Sequence, residues 1–153
     1  MSFAEQQTWF EQLAAGDEQG LAEIAAAAGF GEPRKTAANL CLLNAAFADR
    51  RLIVDIARHA LATADPDLAL NNLERLTATV DTSDLAVVLV DQTSTVQLLT
   101  ILGASPFLTG ILCRRAGFFA GLFRKGQINH AKTEQQMCDE LRQLIDDAAD
   151  TAQ

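Results

Sequence analysis

The chain has no tyrosine, a single tryptophan and only eight phenylalanines in 153 residues, while alanine and leucine abound. That balance disfavours a β-rich architecture and favours helices. Its three cysteines, Cys41, Cys113 and Cys138, are odd in number, far apart and without a Cys-x-x-Cys pair. A disulfide framework and a zinc site are therefore not expected. Cys41 and Cys113 lie in apolar runs, where small core residues belong. Bases are missing from residues 1–32, which carry six acids. Acids are missing from residues 92–125, which carry Arg114, Arg115, Arg124 and Lys125. The net charge of −8 speaks against nucleic acid as the main partner. No N-terminal signal peptide is recognised, so a cytoplasmic location is expected. There is no internal repeat of fixed period, which excludes a regular solenoid.

What is present is apolar enough for a globular core, at 49% hydrophobic residues. One helical domain over residues 1–126 is expected, followed by a linker and an acidic C-terminal helix over 127–153. The most apolar stretch runs from Leu98 to Phe123. Thr95 to Leu102 reads as a helix apolar on nearly every side, hence buried. Gly103 stands where a helix C-cap needs a positive φ. Ser105 is placed to cap the next helix, with Pro106 as its first residue. Phe107/Leu108 and Ile111/Leu112 are doublets four apart, the pattern of a wide inward face. Gly117 interrupts it, and Phe118/Phe119 and Leu122/Phe123 repeat it. Ile101 to Phe123 is long enough to suggest a membrane span, but Pro106, the Gly103-x-Ser105 break and the Arg114-Arg115 pair oppose insertion. A buried helical hairpin and no membrane partner are expected.

The rest of the chain reads as further short helices. Ser2 and Glu5 form a capping box before Phe3, Trp9, Phe10 and Leu13. Asp17, Pro33, Asp49 and Asp65-Pro66 open the next four helices, and Gly16 and Gly29 close the first two. The Gly29-x-Gly31 pair precedes Pro33 rather than following a strand, so it is a turn and not a phosphate loop. His59, a lone histidine among the apolar residues of its helix, is expected to be structural. Leu85 to Val90 is the one run that a strand would tolerate, but it would have nothing to pair with, and a short buried helix is expected. Thr133 caps the last helix, whose apolar side is Met137, Leu141, Leu144 and Ile145. The architecture expected is an all-α bundle of eight or nine short helices with antiparallel neighbours.

Two stretches carry a family resemblance. Gly103-Ala104-Ser105-Pro106-Phe107-Leu108, continuing to Ile111-Leu112-x-Arg114, resembles the helical lead-in of the glutamine synthetase adenylyltransferases. The helix Asp65-Pro66-Asp67-Leu68-Ala69-Leu70-Asn71-Asn72-Leu73-Glu74-Arg75-Leu76 is similar to that family's Pro-x-x-Ala-Leu-x-x-Leu-x-Arg-Leu helix. The two matches occur in the family's order, at about its spacing. They depart from it at Arg115-Ala116, where the family has His-Pro. The nucleotidyltransferase signature, a Gly-Ser opening with an Asp-x-Asp pair for magnesium, is missing. Thr82-Ser83-Asp84-Leu85 has neither the glycine nor the second pair and reads as a helix N-cap.

The resemblance implies a non-catalytic helical segment of such a protein. It would position a nucleotidyltransferase domain, or dock glutamine synthetase in nitrogen regulation. ATP and Mg would enter only with a following catalytic domain, and this chain needs no cofactor or metal of its own. Arg114, Arg115, Arg124 and Lys125 are the candidate docking patch. They could equally pair with the protein's own acidic helices or reach water. Asn71 and Asn72 could cap a neighbouring helix or bind a partner; Arg75 points outward. The alternative is a free-standing helical interaction module that has lost the enzyme.

Overall fold

The computed structural model describes residues 3–124 together with Thr133, Gln135, Gln136 and Asp139. Ser2 of the expected capping box, Lys125 and the linker at 127–131 lie outside the described residues, as do the side chains of Phe118 and Arg124. The described residues form nine helices and no strand. In chain order these are α1 (Phe3–Ala15), α2 (Glu18–Ala28), α3 (Pro33–Phe47), α4 (Arg50–Ala60) and α5 (Pro66–Thr77). They continue as α6 (Thr82–Val90), α7 (Gln92–Ala104), α8 (Pro106–Arg114) and α9 (Ala116–Arg124). The protein is all-α, as its composition requires.

Most helix starts follow from a side-chain oxygen that accepts the orphan N–H groups of the first turn. Asp17 accepts from Gln19 and Gly20, Asp49 from Arg51 and Leu52, and Asp65 from Leu68. Asp81 accepts from Ser83, so the cap of α6 lies two residues before Ser83. Asp91 accepts from Ser94 at the start of α7. Gly16 and Gly29 stop α1 and α2 in the left-handed region, at φ 66° and 105°. Ala48 closes α3 in the same region, at φ 53°, without glycine's freedom.

The core is one cluster fed by every helix. Trp9, Leu21, Leu40, Ile53, Leu73 and Leu98 are all buried, and Trp9 meets Phe30 edge-on at 6.4 Å between ring centroids. Helix α5 packs on α3 and α7, α4 packs on α7, and α8 leans on α5 and α7. Leu85 to Val90 is helical as expected, but it is buried on one side only. Leu85, Val88 and Leu89 enter the core, whereas Val87 and Val90 stay exposed. The same holds for α7, where Leu98, Leu99 and Leu102 are buried and Val96 is not. Periodicity over so short a run does not distinguish one buried face from two.

The apolar run from Ile101 to Phe123 is not one element. It breaks at Ser105 and again at Arg115, where φ is −143° and −133°. Among the described residues no single helix is long and apolar enough to cross a membrane; α6 and α7 pass that test only together, bent by 113°.

Candidate functional site

The two segments that carry the family resemblance are brought against each other. Asn72, buried on α5, donates from Nδ2 to the carbonyl of Leu102 on α7 at 2.9 Å. That carbonyl is among the last four of its helix, which have no partner within it. Arg75, one turn later, donates to Asn72 Oδ1 at 3.2 Å and so fixes the amide's orientation. Asn72 is therefore a cap for a neighbouring helix, the first of its two expected roles. Asn71 is half-buried beside Glu32, Lys35, Asp65 and Asp67 in a shallow cleft.

Gly103 sits at the same joint for a reason other than the expected one. It is buried inside α7 and is not among the residues of positive φ. A Cβ at this position would lie 2.9 Å from Thr63 Oγ1 and 3.0 Å from the Asp65 carbonyl oxygen. The glycine is required by close approach of the loop before α5, not by a left-handed cap. Ser105 closes α7 and opens α8, accepting from Leu108 N at 3.2 Å, and Pro106 is the first residue of α8. Both of these expectations hold. Sequence reasoning missed Asp67, whose carboxylate accepts from Gly31 N at 2.7 Å, Glu32 N at 3.1 Å and Thr36 Oγ1 at 2.7 Å. It ties α5 to the start of α3 across 31–36 residues of chain.

Helix α8 departs most from expectation. Leu112 and Thr109 turn inward, but Phe107 is 72% exposed and Leu108 44%. The inward doublet predicted at 107/108 is thus corrected. The inward side of α8 is the one that carries Thr109 and Leu112, and at 100° per residue Phe107 falls on the opposite side. Arg114 and Arg115 are exposed as well. The Arg114 guanidinium lies along its own helix, with Nη2 3.6 Å from where a Gly110 Cβ would stand. Phe107, Gly110 and Arg114 fall on one stripe at helical spacing. The result is a small face with two apolar side chains at one end and two cations at the other. Arg124 ends α9, and Lys125 lies outside the described residues.

A second polar cluster stands apart from this face. On α4, Arg58 Nη2 donates to Asp55 Oδ1 and to His59 Nε2, both at 3.0 Å. His59 Nε2 is then an acceptor, and the neutral ring carries its proton on Nδ1. Burial pushes the His59 pKa below its ordinary value, Arg58 pushes the same way, and Asp55 opposes them. The cleft beside them, about 320 Å³, also has Asp49 and Arg51 on its walls, so neither sign of charge prevails. No group of three His, Cys, Asp or Glu side chains among the described residues could hold a metal ion.

No family model, curated protein or solved structure matches the chain.

Proposed function

We propose that the chain is a non-catalytic helical docking segment of a glutamine synthetase adenylyltransferase-like system. It holds glutamine synthetase, or a following nucleotidyltransferase domain, on the α8 face. The observation that carries this reading is the exposure of Phe107 and Leu108 at one end of α8 and of Arg114 and Arg115 at the other, on a helix anchored by Thr109 and Leu112. Exposed aromatics are frequent anchors of protein interfaces, and arginine is enriched there. The family reading rests on the order and spacing of the two resembling segments, which meet where Gly103 lies against the Asp65 carbonyl. Transfer of AMP would belong to the partner domain, with its ATP and Mg, because the chain lacks the carboxylate signature that holds magnesium against phosphates.

The experiment is retention of purified glutamine synthetase on the immobilised chain, with Arg114→Glu/Arg115→Glu as control. Retention by the wild type that is lost in the double variant supports the reading. Equal retention by both proteins removes α8 from it, and no retention by either leaves only the interaction-module alternative.

A further inference from the structure

Helix α1 packs on both α2 and α4, and between these contacts the surface opens into a groove of about 400 Å³. The half-buried Ile24 and Leu61 and the buried Trp9 form its apolar part, while Ala27 and Ala28 keep the α2 wall low. Glu5 and Thr8 stand on the α1 wall. Glu23, exposed one turn before Ala27, adds a second carboxylate at the rim. Helix α2 ends at Ala28, so the negative end of its dipole also meets the groove. Neither wall carries a base, because residues 1–32 contain six acids and no Lys or Arg. Arg58 and His59, near the end of α4, line the cleft of Asp49 and Arg51 instead.

We infer that this groove docks a basic amphipathic helix of a partner protein. The apolar side chains of that helix lie on Ile24 and Leu61, and its Lys or Arg residues run along Glu5 and Glu23. Small side chains on the α2 wall let a helix backbone come close, and an amphipathic helix laid in an apolar groove is a recurring mode of recognition. Charge selects the class of partner. An acidic segment would find the same apolar contact but would be repelled by both rim carboxylates and by the α2 terminus. The groove is built from α1, α2 and Leu61, whereas α8 packs on α5, α7 and α9. The inference is therefore independent of the α8 reading, and the chain presents two docking faces of opposite charge.

The test uses Trp9 as its reporter, since it is the one tryptophan of a chain without tyrosine and lies on the groove. The probe is a peptide of about 15 residues, long enough to become helical on binding, with leucines at helical spacing and lysines elsewhere. A control peptide has glutamate for each lysine. The lysine peptide is expected to change Trp9 emission saturably, and the glutamate peptide to leave it unchanged. Binding should weaken by about fivefold or more in Glu5→Gln/Glu23→Gln. It should be lost in Ala27→Phe, which fills the groove from an exposed position. Glu11→Gln/Glu74→Gln removes the same charge away from the groove and should bind as wild type does. No emission change with the lysine peptide overturns the inference. Equal weakening in the two glutamate variants also overturns it, because the attraction is then to an acidic protein at large. Emission that changes with protein concentration before any peptide is added does the same, since the occupant is then a second copy. Glutamine synthetase is absent throughout, so the outcome is separate from that of the binding assay.

Discussion

Asn72 donates its side-chain N–H to the carbonyl of Leu102, and the next residue, Gly103, lies against Thr63 and the Asp65 carbonyl. Helices α5 and α7 are therefore locked at one point by a polar bond and a missing side chain. Replacing Asn72 by Leu leaves a buried carbonyl without a donor, at a cost of about 1–3 kcal/mol. Chemical unfolding should show this as a lower midpoint with an unchanged slope.

Gly103→Ala tests the other half of the joint. The added Cβ meets a backbone oxygen that can move only with its loop, so a loss of about 1–3 kcal/mol is expected. Thr63→Ala in the same chain should recover part of that loss but not all, because the Asp65 carbonyl remains. Full recovery would show that only the threonine hydroxyl opposes the methyl group.

Much of this architecture is legible in the residues themselves. Asp17, Asp49, Asp65, Ser105 and Pro106 announce their helix starts through local chemistry, and Gly16 and Gly29 announce the ends of α1 and α2. The sequence does not disclose which side of a short helix has a neighbour. Phe107 and Leu108 match an inward pattern as well as Ile111 and Leu112 do, yet they are left uncovered by α5 and α7. Gly103 suggests a cap and is instead a contact, because its neighbours Thr63 and Asp65 are about 40 residues away in the chain. Asp67 is hidden for the same reason, since its three donors are 31–36 residues away.

Exposure at α8 predicts that Phe107→Ala is nearly silent for stability, with a loss below about 1 kcal/mol, in contrast to the roughly 3–5 kcal/mol of a buried phenylalanine. Phe119, buried and stacked on Phe123 at 4.9 Å, should show the larger loss. The two variants measured side by side by thermal unfolding decide whether α8 is surface or core.

Ala48 offers a gain. Its left-handed conformation closes α3, and glycine at that position removes the Cβ clash. Ala48→Gly should raise stability by about 0.5–1 kcal/mol after glycine's larger unfolded-state entropy is counted.

His59 carries a pH dependence whose sign follows from its environment. Burial and Arg58 lower its folded pKa, so the unfolded chain binds the proton first as pH falls. Its contribution is present above the unfolded value, about 6.5, and is lost as pH drops below it. The melting temperature of wild type should fall from pH 7.5 to 5.5 relative to that of His59→Gln. Parallel profiles would show that the ring's surroundings do not affect its titration.

The central claim is that α8 is a docking face, and the most direct measurement is the affinity of the full chain for glutamine synthetase. Wild type is compared with Phe107→Asp and Arg114→Glu/Arg115→Glu, each first shown to keep its helical spectrum. Saturable binding that weakens at least tenfold in both variants, and that falls with added salt, is the predicted result. Binding that both variants leave unchanged, or no binding by the wild type, would contradict it.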